Sequence, residues 1–243
     1  AVDCVSPPES HTIIRAAALP LQQSPQPPMS VEELPLATQL TDTGSIIIAG
    51  PPMTGKRALA MGLLAQGFDD GGVAVVSTDA SAAEVRSSLA DYVGRPGAEL
   101  PLGVVDCVGD AHGTEDLEPL DSRVSSPADL TGIGMELTSL LERLYANTQG
   151  QLRFGLLSLT TMSMYASPEQ VVRFLHVVTN RIREASAVGF VVAHADTMDE
   201  EHLQRLRSFV DGVVEVREAD GAAELRVLGP PSGNTDWAPF EEQ

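Results

Sequence analysis

The chain has 243 residues, enough to bury a substantial core, and carries 34 acidic against 15 basic side chains for a formal charge of −19. That balance argues against a nucleic-acid or anionic-membrane binder, and no apolar run approaches the length that spans a bilayer. Two cysteines, Cys4 and Cys107, are too few for a disulfide framework and suit a reducing cytoplasm.

Residues 1–40 are rich in Pro, Ser and Gln ("SPPES", "LQQSPQPPMS") and read as an arm or linker, with "TIIRAAALPL" as a short sticky segment. An α/β domain follows over 41–229. Its first strand, "SIIIAG" (45–50), runs into "GPPMTGKR" and then a helix beginning near Lys56. The order strand, glycine turn, helix is the setting in which backbone N–H groups and a helix N-terminus surround phosphates while a lysine reaches the terminal ones. Gly50, Met53, Thr54, Gly55, Lys56 and Arg57 are the candidate nucleotide-binding residues, with ATP or ADP as ligand. Lys56 is the only lysine in the chain, whose other 14 basic residues are arginine. A compact ammonium has been kept where a bulky guanidinium would replace it poorly.

Arg57 stands where this loop usually carries Ser or Thr. The usual hydroxyl binds magnesium, so the substitution removes an oxygen donor and adds a cation near the ion's seat. Two readings follow: the guanidinium replaces part of the metal's charge, or it points to solvent. Met53 occupies a position where glycine is common and puts bulk beside the phosphates.

Further strands are expected at "GVAVVST" (72–78), "LGVVDCV" (102–108), "LRFGLLSL" (152–159) and "VGFVVAH" (188–194), with "GVVEVRE" and "AELRVLG" as a terminal hairpin joined by "ADGA". Helices are expected to begin near Ser81, Pro127, Pro168 and Asp199, that at Pro127 with Ser126 as N-cap. The segment 109–126 reads as a long loop, either solvated or facing a partner. A second magnesium-binding acid is expected at the end of a later strand, where Leu157 stands. Both departures point to weak or absent magnesium-dependent hydrolysis. A substitute ligand would have to be Asp79, Asp106 or an acid from a neighbouring subunit. No zinc-type His/Cys spacing and no nucleophile elbow is present.

On "IIIAGPPMTGKR", "SSPADLTGIGMEL", "LRFGLLSLTTMSMY" and "FVDGVVEVRE…AELRV", the chain resembles the KaiC-like ATPases of the RecA superfamily, and more closely their divergent relatives in salt-loving archaea. The resemblance implies a RecA-like P-loop fold with a mostly parallel central sheet flanked by helices and a C-terminal antiparallel hairpin. It also implies nucleotide between subunits of a homo-oligomer, or beside a related RecA-like subunit. Position by position, Asp79 falls near the glutamate that activates water, the alternative being a turn aspartate. His194 falls where a polar residue senses the γ-phosphate, the alternative being a hydrogen-bonded strand-end histidine. Arg181 and Arg183 are open to contacts with a neighbour's nucleotide or to solvent. The tail 230–243 holds Trp237 and Phe240, which either cap the chain's own sheet or, like the N-terminal arm, dock a protein partner.

Overall fold

The computed structural model describes residues 44–68, 71–94, 99–108, 117–195, 200–219, 221–229 and 233–240. The arm and residues 109–116 of the 109–126 segment lie outside them.

Nine strands form one sheet: β1 (Gly44–Gly50), β2 (Gly72–Ser77), β3 (Leu102–Asp106), β4 (Ser122–Arg123), β5 (Leu152–Leu156), β6 (Val188–His194), β7 (Gly212–Ala219), β8 (Ala222–Leu228) and β9 (Ala238–Phe240). Their order across the sheet is β4-β3-β2-β5-β6-β1-β7-β8-β9. All pairings from β4 to β7 are parallel, and β8 and β9 add antiparallel strands at one edge. The helices are α1 (Lys56–Ala65), α2 (Ala82–Tyr92), α3 (Leu130–Asn147), α4 (Leu159–Tyr165), α5 (Pro168–Glu184) and α6 (Glu200–Arg207).

Two hydrophobic cores result, one on each face, because successive residues of a strand point to opposite sides. Ile46 and Ile48 of β1 pack with Leu59, Leu63 and Leu64 of α1 and with Val85 and Leu89 of α2. Ile47 and Ala49 point the other way, into a core built with α3, α4 and α5. The continuous apolar strands seen in the sequence are therefore central strands covered twice.

Helix entry is set locally. Ser81 and Ser167 both close capping boxes, with Glu84 and Gln170 reaching back to them, and Pro168 opens α5. The expected cap at Ser126 is corrected: α3 begins three residues later, with Asp129 accepting from the backbone N–H of Gly132. Ser126 instead accepts from Ala128, a local turn that competes with helix initiation. Likewise β5 stops at Leu156, because Ser158 leaves the strand to cap α4, a helix the sequence pattern does not reveal.

Part of the 109–126 stretch is tied down. Asp121 accepts from the backbone N–H of Val104 at 2.8 Å and from Arg86 at 2.7 Å, and Ser122–Arg123 then add to the sheet beside β3. At the other edge Phe240 is buried in the core and Trp237 lies under two guanidinium groups, Arg217 at 4.0 Å and Arg226 at 4.6 Å from the ring centre. The C-terminal aromatics thus cap the chain's own sheet.

Candidate functional site

In a parallel sheet, ligands gather outside the carboxyl ends of the strands. Here β1, β2, β5 and β6 end together, and Gly50 is in register with His194 across the β1–β6 pair. The loop 51–55 leaves β1 at that edge and enters α1. It turns through two left-handed residues, Met53 at φ 58° and Gly55 at φ 76°. Gly50 has no room for a side chain, since a Cβ there would stand 2.2 Å from the carbonyl oxygen of Val216 on β7.

The loop is internally braced. Thr54 Oγ1 donates to the Pro51 carbonyl at 2.9 Å, and Lys56 Nζ donates to the same carbonyl and to Thr54 Oγ1. Lys56 is only 3% exposed, while Met53 is 97% exposed. The bulk expected beside the phosphates sits at the open rim of the cavity over the loop, with Met53 among its lining.

A cavity of about 560 Å³ opens over the loop. Its wall brings together Met53, Thr54, Gly55, Lys56 and Arg57 with Asp79 and His194, while Gly50 forms the strand end beneath. Arg57 does not simply point to solvent. Its Nη1 donates to both carboxylate oxygens of Asp79 at 2.9 Å, joining α1 to the turn after β2. Leu157 and Ser158 form the wall at the end of β5. The backbone N–H of His194 donates to Thr160 Oγ1 at 2.8 Å, fixing the end of β6 to α4.

Asp106 is elsewhere. It is buried, with its oxygens accepting from the backbone N–H groups of Ala82 and Val108, and it does not line this cavity. Arg183 faces Asp211 at 3.5 Å and Arg181 pairs with Glu184 at 2.8 Å, both remote from the cavity. Reading the sequence missed Ser88 and Tyr92, which line the cavity from α2. Their spacing of four residues on a helix directly after Asp79 is the signal that identifies them.

The loop, sheet order and terminal hairpin define a RecA-like P-loop domain. The chain belongs to a family of unknown function, DUF7504, whose model matches residues 43–216. No curated protein matches the chain in sequence. Among solved structures it is similar to uncharacterized protein PH0321 from Pyrococcus horikoshii, in complex with an unknown peptide, at 14% identity and a TM-score of 0.59 over 83% of this chain and 91% of that one. It is also similar to KaiC-like protein PH0186 from the hyperthermophilic archaeon Pyrococcus horikoshii OT3, at 12% identity and a TM-score of 0.55 over 82% and 86% of the two chains. A third solved structure, an ATPase domain, gives 13% identity and a TM-score of 0.54 over 83% of this chain and 81% of that one. At these identities the likeness establishes the fold. No helix among the described residues is long and apolar enough to cross a membrane.

Proposed function

We propose that the chain binds ATP or ADP in the cavity above residues 50–57 and acts as a regulatory or assembly protein of the RecA/KaiC-like type, with weak or no hydrolysis. The observation that carries this reading is the ion pair between Arg57 and Asp79. In a magnesium-dependent loop the position after the lysine supplies an oxygen to the ion. Here it supplies a guanidinium whose carboxylate partner lies across the cavity wall.

The residues present do not fit magnesium at its usual place. Magnesium requires near-octahedral oxygen donors. The hydroxyl position holds Arg57, the strand-end acid position holds Leu157, and both oxygens of Asp79 already accept from Arg57. The phosphates, by contrast, suit what the loop offers: the Lys56 ammonium, the backbone N–H groups at the start of α1 and the Arg57 guanidinium. A polyphosphate would compete with Asp79 for Arg57. That gives two states of differing nucleotide affinity, which is all a switch requires. The partner in this reading is a second copy or a related RecA-like subunit in the cytoplasm.

Equilibrium binding of ATP and ADP at high potassium chloride, with and without magnesium, tests the proposal on the wild type and Lys56→Ala. The expected result is binding that depends on Lys56 and is indifferent to magnesium, without phosphate release above background. Absence of binding under every condition would leave a RecA-shaped scaffold. Magnesium-stimulated phosphate release abolished by Lys56→Ala would instead make the chain a working ATPase, with Asp79, already in the cavity wall, as the substitute ligand.

A further inference from the structure

A second concavity lies on the opposite face of the sheet, between α3 and α5. It has a volume of about 680 Å³, with Leu130, Met135, Phe174 and Val177 as its apolar lining. Met135 and Val177 are 68% and 47% exposed, unusual for large apolar side chains side by side. Gly134 sits in the second turn of α3, and a Cβ there would meet no atom within 4 Å. Glycine weakens a helix interior, and nothing packed against it within the described residues accounts for it. The groove continues into a smaller recess of about 280 Å³ bounded by Tyr145, Ala185 and Ser186.

Two observations bear on what would fill it. The first is where the chain enters the domain. The backbone N–H of Gly44 donates to the carbonyl of Ala187 at 3.5 Å, next to Ala185 and Ser186, so the described domain begins beside the recess. The second is charge. Arg173 lines the groove, is exposed, and alone among the described arginines makes no hydrogen bond or ion pair. In a chain with 34 acids and 15 bases, a cation without an acid stands out.

We propose that residues 31–40 of the same chain, "VEELPLATQL", dock in the α3–α5 groove, with Leu34, Leu36 and Leu40 covering its apolar lining and Glu32 or Glu33 facing Arg173. The reach is sufficient. The 11 residues from Glu33 to Gly44 span up to about 36–40 Å when extended, while the stretch of α5 from Arg173 to Ala185 rises about 18 Å. The other apolar stretch of the arm, "TIIRAAALPL", contains Arg15 and no acid, and would set like charges together at Arg173. Occupancy of the groove is independent of the nucleotide reading, since the two cavities share no residue and lie on opposite faces.

Disulfide trapping in the full chain tests it. Leu36→Cys is combined with Val177→Cys in a Cys4→Ser background and treated with diamide. The control combines Leu36→Cys with Ser87→Cys, an exposed position on the other face. Docking raises the effective concentration of the two thiols above that of a free tether, so the 36–177 pair should close on the order of tenfold faster than the control, within one chain. Gly134→Leu, which fills the groove, should remove the advantage. So should the double change Glu32→Arg with Glu33→Arg, and adding Arg173→Glu to that double change should restore it. A rate equal to the control overturns the proposal, and so does a cross-linked dimer, which would assign the groove to a second copy.

Discussion

Lys56 and Arg57 are adjacent cations in unlike surroundings. Lys56 is buried against the loop it serves, whereas the Arg57 side chain is 38% exposed and shares a bidentate contact with a half-exposed Asp79. An exposed pair adds little to stability, so Arg57→Ser should change the unfolding free energy by less than about 1 kcal/mol. Its effect should appear in binding: with a hydroxyl restored and Asp79 released, nucleotide affinity should become magnesium-dependent. Calorimetric titration with and without the ion decides this, and a variant as indifferent to magnesium as the wild type would show that Arg57 does not stand in for the metal's charge. Cys107 presents the opposite case, a group whose surroundings suppress its charge. Burial pushes its thiol up to about 12, and the Asp106 and Asp129 carboxylates add to the effect. In the unfolded chain the thiol titrates near about 8.5, so above that pH the unfolded state sheds a proton that the folded state keeps. Stability from this group is therefore complete below about pH 8.5 and lost as pH rises towards 12, at up to about 1.4 kcal/mol per pH unit. Cys107→Ala should flatten the alkaline limb of stability against pH, measured by urea unfolding between about pH 8 and 11. Parallel limbs for the two proteins would rule out the thiol as a contributor.

The elements depend on end conditions that differ in how openly the sequence displays them. At α5, Ser167, Pro168 and Gln170 form a capping box with a proline at the first helical position, and Ser167→Ala should cost about 1 kcal/mol in chemical unfolding. A loss below experimental error would mean that packing of Val171, Phe174 and Leu175 fixes the helix start without the cap. Such local signals explain what could be read in advance. β1 with its loop and α1, the buried parallel strands, the starts of α2 and α5 and the terminal hairpin each have a periodicity or cap encoded within a few residues. Sequence pattern and structure part company where two local solutions compete. Ser126 and Asp129 are both competent caps, and only the Asp129 contact to Gly132 fits the helix that packs Ile133 and Leu137 into the core. Similarly, "LRFGLLSL" continues as an apolar run through the end of β5, and the hydroxyl that ends the strand, Ser158, is inconspicuous within it. At the candidate site the loop residues were legible because they are contiguous. The partnership of Arg57 with Asp79 was not, since 22 residues separate them and only the return of β2 beside β5 brings α2 and its preceding turn over α1. Ser88 and Tyr92 escaped because their spacing of four residues marks one face of α2 without saying what that face lines, which only the packed fold supplies.

At the scale of the whole molecule, the formal charge of −19 opposes the compact state through self-repulsion. Added salt also weakens the favourable pairs, so the sign of its effect depends on which contribution is larger. The pairs Arg57–Asp79, Arg181–Glu184, Arg183–Asp211 and Arg205–Glu201 are largely solvent-exposed and add little even at low salt. Arg86–Asp121 and the group formed by Arg207, Glu215 and Arg226 are more enclosed and are screened less. Repulsion among the excess carboxylates is long-ranged and is lost first, as the screening length falls from about 10 Å at 0.1 M to about 3 Å at 1 M. The thermal midpoint should therefore rise with potassium chloride over that range, and neutralising exposed acids, for example Asp91→Asn with Glu218→Gln, should make the rise shallower. The same field should act on the nucleotide. A polyphosphate is repelled by the molecule as a whole and attracted only at close range by Lys56 and Arg57, so its association rate should increase with salt where an ordinary cationic site would lose rate. A midpoint that falls with salt would give the ion pairs the larger share of stability. An association rate that falls with salt would mean that the local field of the loop outweighs the charge of the whole molecule at the distance where encounter is decided.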